Sequence, residues 1–242
     1  WLIGRSVIRG DFDRAMSVML GEPGPLDHGD VLKARRLFDA GQLQDAADAW
    51  PYHHNQQRRA CRAIVKSNGN TRRGWRAVDR TLRGLFVSAY QSHLFNQVLA
   101  DRISGLNRIE EGDLAWKHAN GACFRVEDVA AEQPRCEAFE ISPTGPLFGH
   151  RMTEASGLPG ERESRILAAE GLELSSFRTK DGISVDGVRR PLRVPLDGPT
   201  VDDGTDEWGH FLRLSFALPS GSYATSVVRE VCKAAAPESP IA

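Results

Sequence analysis

Leu85 to Ile103, LFVSAYQSHLFNQVLADRI, carries the strongest helical signal in the chain, with Val87, Tyr90, Leu94 and Val98 on one stripe. A helix with such a stripe needs an apolar surface to lie against, so this segment predicts a central, core-facing helix. On a 3.6-residue wheel Ser88, Gln91, Ser92 and Phe95 share a second face, short polar side chains around one aromatic ring. That face either packs tightly on another backbone or contacts a ligand, and packing is the commoner outcome.

The residues before this helix read as mainly helical. Leu2, Ile3, Val7, Ile8, Phe12, Ala15, Met16, Met19 and Leu20 recur near helical spacing, with Gly10-Asp11 at an interruption or a helix start. GEPGPLDHGD is a loop, and a helix is expected from Val31 to Asp39 with Asp30 as its N-cap. GQLQDAADAW is a further helix stopped by Pro51, and SNGNT breaks the helical signal that follows. After Ser104 the texture changes to short β-type segments, DLAWKHANGACFRVEDV and EAFEISPTGPLFGHRM. GERESRILAAEG interrupts as a helix before GISVDGVRRPLRVPL returns to strands. The fold class is therefore α/β in the broad sense, of the α+β kind.

The closing segment is the most legible. In HFLRLSFALP, Leu212, Leu214, Phe216 and Leu218 alternate with Arg213, Ser215 and Ala217, which predicts a strand with one buried face. Pro219 ends it, Gly221 can take a positive φ in the turn, and Ser222 is placed to N-cap a helix running to about Lys233. The start of such a helix can hold a phosphate or a carboxylate, and the plain strand-turn-helix reading stands beside that one. Neither the GxxxxGK[ST] nor the GxGxxG phosphate-binding spacing occurs.

With 40% hydrophobic and 26% charged residues in 242, the chain can bury a substantial core in one large domain or two small ones. No apolar run approaches the roughly 18 residues that a membrane-crossing helix needs. The opening WLIGRSVIRG has neither the apolar stretch nor the cleavage site of a signal peptide. It lacks an initiator Met, so Trp1 is expected not to be the natural start. Cys61, Cys123, Cys136 and Cys232 form no CxxC pair and read as reduced thiols. His53-His54 reads as a solvated turn rather than a metal site.

A net charge of −1 hides a segregation. Between Arg58 and Arg83 there are nine Arg or Lys residues against the single acid Asp79, while Asp197 to Gly209 holds five acids and no base. Such asymmetry points to a polyanion-facing surface or to solvated helix faces.

Two of these segments resemble the TruD family of tRNA pseudouridine synthases: SAYQSHLFNQVLADRI (Ser88 to Ile103) is similar to its central helix motif, LPSGSYATSVVRE (Leu218 to Glu230) to its C-terminal motif. SPTGPLFGHRM (Ser142 to Met152) and VRRPLRVPL (Val188 to Leu196) are similar to further family segments in the same order, so the resemblance runs from about Trp1 to about Lys233. It implies a TruD-type inserted α/β domain over residues 13–193. Residues 1–12 and 194–233, including the last strand and helix, would belong to a pseudouridine synthase catalytic domain. Residues 234–242 are expected to be a disordered tail.

The activity so implied is isomerisation of uridine to its C-glycoside in tRNA by a cytoplasmic RNA-binding enzyme that needs no metal or redox cofactor. The family's essential Asp lies in a Gly-Xaa-Lys-Asp segment upstream of the helix motif, and that segment does not occur in these residues. Lys180-Asp181 echoes the dipeptide, but Asp181 reads as a surface turn residue. The chain is thus expected to be a portion of the enzyme without its catalytic Asp, the alternative being a non-catalytic RNA-binding module of the same fold. The resemblance puts Ser220, Gly221, Ser222, Tyr223, Thr225 and Arg229 near the active site. RNA contacts are expected from Arg72, Arg73, Arg76, Arg80, Ser88, Gln91, Phe95, Asn96, Arg189, Arg190 and Arg193. Of these, Ser88, Gln91, Phe95 and Asn96 could equally join two domains, and Arg189, Arg190 and Arg193 could form a hinge. A hydrolase built on the Ser220 or Ser222 hydroxyl is disfavoured, because nothing in the sequence nominates a paired His and acid.

Overall fold

A computed structural model describes residues 1–179 and 184–233. Asp181 and the tail 234–242 lie outside the described residues. The first half is helical: α1 Leu2–Ile8, α2 Phe12–Leu20, α3 Gly29–Asp39, α4 Leu43–Ala49, α5 Asn55–Lys66, α6 Thr71–Ala77 and α7 Arg80–Arg102. The second half mixes β1 Leu114–Lys117, β2 Cys123–Arg125, α8 Val129–Glu137, β3 Ile141–Leu147 and α9 Gly157–Ala169. It ends with β4 Val188–Pro191, β5 Asp197–Asp206, β6 Gly209–Ala217 and α10 Ala224–Cys232.

Short polar side chains set several helix starts. Asp11 accepts from the Arg14 N–H, Asn70 from the Arg73 N–H, and Asp79 from the Thr81 and Leu82 N–H groups. Those last bonds, Thr81's first, hold the Asp79 carboxyl below its usual range. Asp30 is not an N-cap: α3 begins a residue before it, after His28, and Asp30 lies in the first turn. There its carboxylate still complements the positive helix end.

The α7 stripe is buried as the spacing predicts. Val87, Tyr90, Leu94 and Val98 share one core with Val7 of α1, Met16 and Leu20 of α2, Ile64 of α5, and Trp75 of α6. Phe148 and Phe177 close the same core from the second half. Glu170, just past α9, ties α1 into this body: it accepts from Arg5 Nε at 2.7 Å and from the Tyr90 hydroxyl at 3.0 Å. A smaller core of Ile109, Ala115, Val126, Cys136 and Ile141 lies between α8 and the sheet.

That sheet is antiparallel, in the order β2-β1-β3-β4. The interior strand β3 carries Pro143 and Pro146, which donate nothing to the ladder. Side chains supply bonds in their place. Thr144 Oγ1 donates to the Leu114 carbonyl at 2.5 Å, and Arg189 Nη2 donates to the Thr144 carbonyl at 2.9 Å. Gly145 allows the sheet to approach α7, since a Cβ there would stand 3.0 Å from the Phe95 ring and 2.8 Å from Leu192.

Sequence expectation and structure differ at four places. Residues 129–137, which carry no strong periodicity, form α8, started by Asp128 accepting from the Ala131 N–H. The acidic stretch after Leu196, given no element from sequence, forms β5, which pairs with β6 as an antiparallel hairpin turning at Asp206↔Gly209. Strand β6 forms with the expected alternation, but its apolar face is not buried. Leu212 is 72% exposed, Leu214 and Phe216 only half-buried, because no described helix or sheet lies over the hairpin. Ser222, finally, does not cap α10. Its N–H closes a turn on the Pro219 carbonyl at 3.1 Å, and Tyr223, with an extended backbone, is the N-cap.

Candidate functional site

Between the sheet and the turn after β6 lies a cleft of about 670 Å³. Trp116 and His118 of the β1 segment form one wall, β4 with Arg190 the floor, and Pro219 to Tyr223 the other wall. Gly221 holds φ at +84°, a conformation that favours glycine, and so lets the chain turn sharply between β6 and α10. Arg190 fastens this turn to the sheet: its Nη2 donates to the Gly221 carbonyl at 2.8 Å while its guanidinium lies over the Phe95 ring, 5.7 Å from the centroid. The Ser220-Gly221-Ser222 turn, read from sequence as a site, therefore sits against a residue from the expected binding set.

Not every expected contact residue faces solvent. Arg189 is buried, with a side chain 5% exposed, and its guanidinium forms a two-point pair with Glu163 at 2.7 and 2.9 Å. Gln91 is buried too, and its amide donates to the Phe148 carbonyl at 2.6 Å. Arg193 lies over Phe139, its guanidinium carbon 3.9 Å from the ring centroid, and donates to Ser142 Oγ at 3.1 Å and to the Cys136 carbonyl. These three hold the fold together, and Phe95 serves as the ring beneath Arg190. By contrast Arg73, Arg76, Arg80, Ser88 and Asn96 are exposed, with Arg72 half-buried over Phe12. Tyr223, Thr225 and Arg229 are exposed at and beyond the turn.

Two cleft residues, Trp116 and His118, were absent from the sequence-derived set. The signal was present in DLAWKH, where a large aromatic and a histidine stand two apart and so share one face of a strand. His118 Nε2 lies 2.8 Å from the Oγ of Ser142, which is fully buried. Burial, and then the Arg193 guanidinium, push the His118 pKa below the usual histidine value, so the ring is neutral at neutral pH. Indole and phenol rings, hydroxyls, and guanidinium and imidazole donors make a lining suited to a planar heterocycle beside an anionic group.

The family model described as tRNA pseudouridine synthase D (TruD) matches residues 1–231. The chain belongs to the TruD family. Its relatives include the tRNA pseudouridine synthase D of Geobacter metallireducens, 45% identical over 98% of this chain and 58% of that protein. The protein of the same name from Geobacter sulfurreducens is 42% identical over 96% of this chain and 56% of its own length. Among solved structures, one assigned to a tRNA pseudouridine synthase D (TruD) of Methanosarcina mazei superposes with a TM-score of 0.85 at 28% identity, covering 96% of this chain and 57% of the other. The TruD chain described here thus spans a little over half the length of the relatives it matches, and the helix and turn motifs read from sequence both lie within the matched span.

Proposed function

We propose that this chain is the RNA-facing portion of a tRNA pseudouridine synthase, with its insertion domain over 13–193 and its catalytic-domain segments at 1–12 and 194–233. The observation that carries the reading is the cleft in which Arg190 of β4 holds the Ser220-Gly221-Ser222 turn, bringing two segments with family resemblance onto one concave surface. The first boundary runs through a shared core, since Val7 and Ile8 pack with Met16 and Tyr90.

The reaction breaks the bond between ribose C1′ and uracil N1, forms one between C1′ and C5, and moves the C5 proton out as N1 gains one. Atoms and electrons balance without an external oxidant or reductant. The catalytic carboxylate of this reading belongs to the family's Gly-Xaa-Lys-Asp segment, a pattern that does not occur in these 242 residues. The chain's own part is to hold RNA: Arg73, Arg76 and Arg80, with Arg72 beside them, neutralise phosphates, and Arg190, Ser220, Ser222 and Tyr223 border the target nucleotide. Ser88 and Asn96, exposed on α7, and Thr225 and Arg229, exposed on α10, belong to the same reading as further RNA contacts. A cytoplasmic location belongs to the same reading. Among the described residues no helix is long and apolar enough to cross a membrane.

Tritium release from tRNA labelled at uridine C5 tests this, using the 242-residue chain and a version extended upstream through the Gly-Xaa-Lys-Asp segment. Release by the extended version alone is the expected result. Release by the short chain overturns the assignment of the carboxylate, and RNA binding without release by either favours a non-catalytic binding module.

A further inference from the structure

We propose that Trp116 and His118 form a subsite for one unstacked nucleobase, in which the indole provides the stacking surface and His118 Nδ1–H donates to a carbonyl or ring-nitrogen acceptor on the base edge. The inference rests on the reading of an RNA substrate above and adds two residues and a direction of hydrogen bonding to it.

The hydrogen-bond order fixes the tautomer. Ser142 Oγ lies between two neighbours, Arg193 Nε at 3.1 Å and His118 Nε2 at 2.8 Å. A guanidinium N–H can only donate, so Arg193 occupies a lone pair of the hydroxyl oxygen. Ser142 is fully buried and its Oγ reaches no other acceptor among the described residues, so its single proton is satisfied only by His118 Nε2, which is then the unprotonated nitrogen. The ring proton resides on Nδ1, and Nδ1 has no hydrogen-bond partner among the described residues although the ring borders the cleft. Arg193 is held in turn by Phe139 and the Cys136 carbonyl, so the relay ends on a rigid anchor.

A donor that is neutral and pre-oriented suits an uncharged acceptor better than a phosphate, which would favour a charged imidazolium. Ser142 is the register partner of Trp116 on β3, and His118, just past the end of β1, reaches the same Ser142 side chain, so ring, donor and anchor share one surface. Aromatic side chains of this kind carry unstacked bases in single-stranded RNA recognition.

The test compares affinity for an unmodified tRNA transcript, and for oligouridylate, across wild type, His118→Gln, His118→Asn and Trp116→Leu. Gln keeps an acceptor for Ser142 but loses the Nδ1 donor, and its affinity is expected to fall about 3- to 10-fold. Asn places an amide N–H near the Nδ1 position and is expected to keep most of the affinity. Trp116→Leu is expected to lose about 5-fold or more. A nitrogen-15 spectrum of the histidine ring reads the tautomer independently of any RNA, with the proton expected on Nδ1. Gln binding as tightly as wild type, or a proton on Nε2, overturns the subsite while leaving the synthase reading intact. Oligouridylate binding with the same sensitivities, but none by tRNA, keeps the subsite and removes the tRNA reading. Binding of neither RNA removes both.

Discussion

Arg189 and Arg190 are adjacent in sequence and opposite in role. Alternation along β4 sends Arg189 into the protein, onto Glu163 and Thr144, and leaves Arg190 over Phe95 at the cleft floor. A buried pair stabilises little overall, yet removing one partner strands the other charge away from water. Arg189→Met should therefore destabilise the chain by about 3–5 kcal/mol in urea unfolding, because Glu163 is left alone and 6% exposed. Arg189→Met with Glu163→Leu should recover most of that loss, as an apolar pair of similar volume does elsewhere. An Arg189→Met protein of wild-type stability would show that the two side chains are not paired in solution.

At the scale of elements, two strands depart from what their sequences suggest, for opposite reasons. Strand β3 has two prolines and a glycine yet sits inside the sheet, because Thr144 and Arg189 side chains supply donors that the prolines lack. Strand β6 has the alternation of a half-buried strand yet leaves Leu212 exposed, because β5 is the strand beside it and no described element covers that face. An uncovered apolar hairpin favours self-association. Leu212→Lys is expected to change unfolding free energy by no more than about 0.5 kcal/mol while reducing concentration-dependent light scattering. A larger loss of stability would mean that the face is covered in solution. The helices were the more legible elements: α7 and its stripe follow directly from periodicity, whereas α8, nine residues with an internal Pro134, is set by the Asp128 cap and packing over Ile141 rather than by pattern.

For the whole molecule, charge is the property that segregates. Bases concentrate on α5, α6 and the start of α7, and the acids Asp202, Asp203, Asp206 and Glu207 project from the hairpin, all exposed. If Arg73, Arg76 and Arg80 each neutralise a phosphate, replacing all three by Ala should lower tRNA affinity. The plot of log affinity against log salt should become shallower by about 0.7–0.9 per contact removed. An unchanged slope would place the RNA elsewhere and leave these residues as a solvated helix surface. Because all three are exposed and make no ion pair among the described residues, the fold should tolerate the change.

The sequence alone determined what depends on neighbours along the chain. It carried the α7 stripe, the alternation of β6, the glycine turn at 220–222, the change from helical to β texture after Ser104, and the motifs of the TruD family. The stripe, the alternation, the turn and the change of texture follow from local periodicity and backbone preference, which operate over a few residues, whereas the family motifs are carried by resemblance. Only the tertiary structure decided which polar side chains remain available to a ligand. Whether Gln91, Arg189 and Arg193 face RNA or the protein depends on Phe148, Glu163 and Ser142, which lie 26 to 57 residues away. The same holds for the cleft itself, since His118 and the Ser220–Ser222 turn, about a hundred residues apart in the chain, line it together, and no local pattern encodes a juxtaposition of that range.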